Sequence, residues 1–129
     1  MDHFFVLSQS DGRPMYLQIM EHIKNRVATG DWGPGFKMPS IRELAVSTKV
    51  SVITIKRAYQ ELEREGVIIT QPGKGSFVAA VSNLGEHIMQ QKIDEHLLQA
   101  LSNAKLLKLD LDALIQRLKS LSKDEEGES

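Results

Sequence analysis

The run VSVITIKRAYQELEREG, residues 50–66, constrains the fold more than any other part of the chain. Val50, Val52, Ile53, Thr54 and Ile55 are all β-branched, and such side chains suit a pleated strand. A strand would need its alternation of period two to continue. Instead Ala58 and Leu62 follow Ile55 at steps of three and four, which is one face of a helix. Ser51 suits a helix N-cap and Gly66 a C-terminal stop, leaving about four turns between them. The β-branched residues cost this helix on the order of 1–2 kcal/mol in all, which burial overrides. At about 100° per residue, the stripe Ile55, Ala58, Leu62 sets the buried direction, and Ile53, Gln60, Lys56 and Arg57 point away from it. Val52 lies on the flank. An outward isoleucine at a helix tip beside two cations suits a surface that meets a partner.

The flanking segments complete a motif. Upstream, Tyr16, Ile19, Ile23 and Val27 recur at helical spacing, with Pro14 in the first turn and Gly30 as the stop. DWGPGFKMP then breaks regular structure, leaving Trp32 as the hydrophobic anchor of the loop. Ser40-Ile41-Arg42-Glu43 is a capping box that opens a short helix with Leu44 and Ala45 inward, ending near Ser47-Thr48-Lys49. After Gly66, VIIT and SFVAAV are short β-type runs joined by QPGKG, which predicts a hairpin with a basic turn. Two helices close in sequence followed by a hairpin make a winged helix-turn-helix: a mainly α chain with a small β-hairpin.

Beyond Asn83, Leu84, Ile88, Ile93, Leu97, Leu101 and Ala104 continue at helical spacing, and a second helix runs from an Asp110 cap through Leu111, Leu114, Ile115, Leu118 and Leu121. The expected organisation is a winged domain over 1–81, a two-helix segment over 82–122 and a disordered acidic tail over 123–129. Two helices cannot cover this much apolar surface alone. A second copy is the simplest cover, with Ile88, Ile93, Leu97, Leu101, Leu111, Leu114, Ile115 and Leu118 as the dimerisation set.

Charge and composition narrow the function classes. The net charge of −1 divides into +2 over residues 1–81 (ten Lys+Arg, eight Asp+Glu) and −3 over residues 82–129 (six and nine). Local basic surface, and not the total, is what attracts phosphates. The absence of cysteine excludes disulfides, thiolate metal sites and thiol catalysis. No apolar run approaches the roughly 20 residues of a membrane span, and MDHFFVLSQSDGR has no leader pattern. A cytoplasmic protein without a membrane partner is expected. His3, His22, His87 and His96 show no ligand spacing, so neither metal nor cofactor is expected. PGKGS is not a phosphate-binding loop, because Ile68 stands where its first glycine belongs and Gly75 where its Ser/Thr belongs. No nucleophile, base and orienting group appear together, so no enzymatic activity is expected.

Residues 38–78, MPSIRELAVSTKVSVITIKRAYQELEREGVIITQPGKGSFV, resemble the DNA-binding domain of the GntR family of bacterial transcription regulators. The likeness rests on Pro39-Ser40, Arg42-Glu43-Leu44-Ala45, Thr54, Arg57-Ala58-Tyr59, Leu62-Glu63, Glu65-Gly66, Gly73, Gly75 and Phe77-Val78. The 48 residues after the wing match the short YtrA-like branch, which lacks a large effector domain. Two features depart from that branch. Ser51-Val52-Ile53-Thr54 replaces its usual recognition turn, and Lys108 stands where a glycine would end the long helix, which predicts a left-handed lysine or an altered turn.

The resemblance implies a homodimeric regulator, a repressor of its own operon and neighbouring ABC-transporter genes, reading a pseudo-palindromic operator in double-stranded DNA. Whether a small-molecule effector binds stays open. The DNA-contacting set comprises Ser40, Arg42, Ser51, Val52, Ile53, Thr54, Lys56, Arg57, Gly73 and Lys74. Val52 and Ile53 suit thymine methyls, Lys56 guanine, Ser51 and Thr54 phosphate or base, and Arg42 phosphate or guanine. Lys74 suits the minor groove or its phosphates. The competing reading is a winged-helix module that binds protein through its apolar tip and acidic helices.

Overall fold

The structure, a computed structural model, describes residues 5–8, 12–81 and 83–127. The elements are α1 (Met15–Ala28), α2 (Ile41–Thr48), α3 (Val52–Arg64), β1 (Ile68–Gln71), β2 (Gly75–Val78), α4 (Leu84–Leu106) and α5 (Leu111–Gly127). They form two compact units that divide after Ile88.

In the first unit α3 is the central helix, packed by α1, α2 and β1. Its buried stripe is Ile55, Ala58, Tyr59 and Leu62, meeting Ile19 and Ile23 of α1, Leu44 of α2, and Ile68 and Val78 of the hairpin in one core. The helix reading of residues 52–64 therefore holds against the strand chemistry of its first turn. Trp32 is buried, stacked on Phe36 at 5.0 Å, and anchors the loop after α1. Pro14 stands one place earlier than a first-turn position, as the residue that caps α1. Ahead of it, residues 5–8 lie along α1, held by the buried Gln18, whose side-chain oxygen accepts the Ser8 N–H at 2.9 Å and whose side-chain nitrogen donates to the Ser8 carbonyl at 2.8 Å.

The helix termini follow local chemistry. Ser40 Oγ accepts the Glu43 N–H at 3.1 Å, and the Glu43 carboxylate accepts the Ser40 N–H at 3.0 Å. Such a cap stabilises a helix by about 1 kcal/mol. The turn between α2 and α3 places Lys49 at φ 57, while the Val50 N–H returns to the Ala45 carbonyl at 3.2 Å. After α3, Gly66 adopts φ 80 and the Val67 N–H closes on the Leu62 carbonyl at 3.0 Å.

β1 and β2 pair antiparallel from Ile68↔Val78 to Gln71↔Gly75. Between them Pro72 and Gly73 (φ 76) form a tight turn closed by the Lys74 N–H on the Gln71 carbonyl at 2.9 Å. Residues 35–38 run along the outer edge of β2, where Lys37 bridges Phe77 and the Met38 N–H donates to the Ser76 carbonyl at 2.8 Å.

Two expected boundaries move. Leu84 and Ile88 join the core of the first unit, so its limit falls inside α4 and not at residue 81. Gly85 permits this packing, because a Cβ there would lie 3.1 Å from the Ala28 carbonyl oxygen at the end of α1. The tail expected to be disordered from residue 123 continues α5 as far as Gly127. That stretch holds no proline, and its lysine and glutamates are good helix formers.

The second unit is the rest of α4 with α5. Lys108 is left-handed at φ 55, and the N–H groups of Lys108 and Leu109 close on the carbonyls of Lys105 and Ala104 at 3.1 and 2.9 Å. A lysine thus occupies the position expected of glycine, without altering the turn. Asp110 caps α5 by accepting the Ala113 N–H at 2.9 Å. Within this unit only Ala104 is buried among the described residues, while Ile93, Leu97, Leu101, Leu111, Ile115, Leu118 and Leu121 are exposed.

Candidate nucleic-acid interface

The tip of α3 is built by its cap. Ser51 Oγ accepts the Thr54 N–H at 3.2 Å and lies 2.8 Å from Thr54 Oγ1. One of the two hydroxyl protons bridges the pair, leaving the other to be donated outward. Beside this polar pair, Ile53 is 81% exposed and Val52 47% exposed. Lys56 follows on the exposed side. Neither Val52 nor Ile53 packs into the core of its own unit.

Arg57 takes a different direction. Its guanidinium lies 3.8 Å from the ring centroid of Tyr16 on α1, an attractive cation–π contact. The helical angle placed it outward, and its side chain in fact lies against the neighbouring helix. The hydrogen-bonding edge of a guanidinium stacked this way remains available to an anion.

On α2, Arg42 is exposed in the first turn, one residue from the capping glutamate. Ser40, Gly73 and Lys74 line one cleft of about 460 Å³ between the start of α2 and the wing. Sequence reasoning missed two features here. Lys37 lines the same cleft, and its signal was only its closeness to the capping box. Tyr59 forms part of the wall, 4% exposed, and its hydroxyl donates to the Pro39 carbonyl at 2.6 Å. Burial, with the Glu43 carboxylate adding to it, pushes the Tyr59 phenol well above its ordinary range, so it stays a neutral donor.

The charges explain how a chain of net charge −1 presents a basic surface. The nearby carboxylates are engaged: Glu43 in the cap, Glu61 with Arg64 at 3.2 Å, Glu63 with the Thr70 N–H at 3.2 Å, and Glu65 with Lys24. Arg42, Lys49, Lys56 and Lys74 form no ion pair among the described residues. Positive charge without internal partners therefore accumulates on the elements that carry the exposed tip and the wing.

Of the residues expected to pair two copies, Ile93, Leu97, Leu101, Leu111, Ile115 and Leu118 are exposed, and Leu114 is half-buried. Ile88 is corrected. At 3% exposure it fills the core of the first unit, where the first turn of α4 meets the end of α1, and has no surface left for a partner.

A capped, exposed helix tip beside a second capped helix and a basic two-stranded wing defines a winged helix-turn-helix regulator. The profile of the bacterial regulatory proteins of the gntR family matches residues 15–78. The HTH-type transcriptional repressor YtrA of Bacillus subtilis (strain 168) is 37% identical over 116 residues, 88% of each chain. A GntR family transcriptional regulator from Listeria monocytogenes has a similar structure, with a TM-score of 0.73 and 30% identity over 85% of this chain and 96% of that one. AraR(DBD) in complex with operator ORX1 aligns over 61% of this chain and 95% of that one, with a TM-score of 0.52 and 30% identity. The chain belongs to the GntR family of bacterial transcriptional regulators, and its likeness to YtrA extends past the wing into the C-terminal helices. Among the described residues no helix is long and apolar enough to cross a membrane.

Proposed function

We propose that this regulator binds a pseudo-palindromic operator as a homodimer and represses transcription there. The observation that carries the reading is Ile53, 81% exposed at the capped tip of α3, between the Ser51–Thr54 hydroxyls and Lys56. Isoleucine on a solvated tip is costly unless something covers it, and the apolar feature of the major groove is the thymine methyl. The first half of α3 enters that groove, with Val52 and Ile53 against methyls, Lys56 toward guanine, and the hydroxyl pair toward base or phosphate. Arg42 and Lys74 flank it on backbone or base edges, and Arg57, stacked on Tyr16, is held to meet a phosphate.

The exposed leucine and isoleucine face of α4 and α5 supports pairing with a second copy, which sets two α3 tips at the spacing of successive major grooves. Repression is supported by the similarity to YtrA, described as a repressor. Control of its own operon and of neighbouring ABC-transporter genes is part of the same proposal, on the resemblance of the short C-terminal segment to the YtrA-like branch.

Footprinting of the DNA upstream of its own gene tests the proposal. A protected inverted repeat is expected, with affinity falling steeply as salt rises, since each Lys or Arg contact to a phosphate releases counterions. Finding no protected repeat overturns the proposal and favours a winged-helix module that binds protein.

A further inference from the structure

We infer that the cleft between the wing and the start of α2 seats one sugar–phosphate strand of the DNA, and that Lys37 is the cation that grips it from the inner edge. The inference rests on the DNA-binding reading above and adds a contact that neither the motif nor the hairpin tip identifies.

Three observations place Lys37 there. Its backbone is fixed as the edge of the wing sheet, bridging Phe77 with the Met38 N–H bonded to Ser76. Its side-chain stem crosses Gly75: a Cβ built on that glycine, at φ 122, would approach Lys37 Cε to 3.3 Å. A glycine therefore keeps the path open for the lysine to cross the wing. The side chain is exposed and has no ion pair among the described residues.

The chemistry of the cleft suits a phosphodiester. Lys37 and Lys74 both line it, as do the Ser40 hydroxyl and the Thr70–Ser76 hydroxyl pair, which lie 3.0 Å apart with one proton to spare. Among the described residues the only carboxylate in the lining is Glu43, and it is engaged by the Ser40 N–H at the positive end of α2. Pro39 and Pro72 supply apolar walls against which a deoxyribose can lie. Donors on the rim and apolar surface between them match the alternating charge and sugar of one backbone strand.

The test is a salt titration of DNA binding by fluorescence anisotropy with the full chain, comparing wild type, Lys37→Ala, Lys37→Arg and Arg42→Ala on an operator duplex and a scrambled duplex. Lys37→Ala is expected to weaken both duplexes by the same factor. It should also lower the slope of log K against log salt by about 0.9, so that the affinity lost between 50 and 200 mM salt shrinks about 3.5-fold. Lys37→Arg is expected to restore the slope. Unchanged affinity and slope in Lys37→Ala, while Arg42→Ala loses the operator, overturns the role of Lys37 and leaves the DNA-binding reading standing. A Lys37→Ala loss confined to the operator at an unchanged slope also overturns it, since a phosphate contact is blind to sequence. Failure of wild type to bind either duplex overturns the underlying reading itself.

Discussion

Replacing Tyr59 by phenylalanine removes one oxygen atom from the junction of the helix-turn-helix. The hydroxyl donates to the Pro39 carbonyl at 2.6 Å, and both residues are buried. The lost hydrogen bond is worth about 0.5–1.5 kcal/mol net, and leaving a buried acceptor unsatisfied costs about 1–3 kcal/mol. A loss of about 1.5–2.5 kcal/mol is therefore expected. At roughly 4–8 °C per kcal/mol for a unit of this size, the melting temperature should fall by about 6–20 °C, read by circular dichroism or calorimetry. The pH dependence supplies a second signature. Folding raises the phenol above its ordinary pKa of about 10, so with rising pH the unfolded chain loses this proton before the folded one does. The stability contributed by the hydroxyl is complete below about pH 10 and is lost as pH rises through the folded value. The gap between wild type and Tyr59→Phe should be constant from about pH 6 to 9 and narrow above about pH 10. A variant melting within about 2 °C of wild type, with no narrowing, would refute this account of how α3 holds the start of α2.

Ile53→Ala should change stability by no more than about 0.5 kcal/mol, because the side chain lies in solvent, yet should weaken operator binding. That weakening should disappear on a duplex whose thymines are replaced by uracil, and equal losses on both duplexes reject methyl contact. Lys49→Gly relieves a left-handed lysine at φ 57 and should stabilise the first unit by about 1 kcal/mol in thermal melts, even though it removes a cation and weakens DNA binding. Leu97→Lys and Ile88→Ala separate two roles of α4. The first should shift the chain toward monomer in size-exclusion chromatography with light scattering. The second should destabilise the first unit by about 2–5 kcal/mol without acting on an exposed face. A wild-type chain that stays monomeric at micromolar concentration contradicts the pairing proposal.

Features decided by neighbours in sequence are legible in the residues themselves. The Ser40–Glu43 cap, the Ser51 cap, Gly66 and the left-handed Lys108 depend on a few adjacent residues, so spacing and residue type suffice. The exposure of Ile53 follows from helical angle alone, once Ala58 and Leu62 have settled strand against helix. What stays hidden depends on segments far apart in the chain. Ile88 and Ile93 are the same residue type on one stripe, and only the approach of Gly85 to the end of α1 shows that the first is core and the second exposed. Arg57 has an outward helical angle, and nothing near it in sequence points to Tyr16, forty-one positions earlier, beneath its guanidinium. The Tyr59–Pro39 bond and the crossing of Lys37 over Gly75 likewise have no local signal. The end of α5 escapes a reading by composition because acidic runs resemble disorder, whereas helix propensity in that stretch is sufficient.

The hydroxyl pair at the tip of α3 has a consequence for tolerance. Either Ser51 or Thr54 can hand its proton to the other, so the tip can swap which oxygen gives and which receives without moving a backbone atom. In the proposed dimer, two copies meeting halves of a site that differ by a base would each settle the swap independently, one offering a donor where its twin offers an acceptor. Symmetry in such a dimer would then ask for less than perfect symmetry in the DNA.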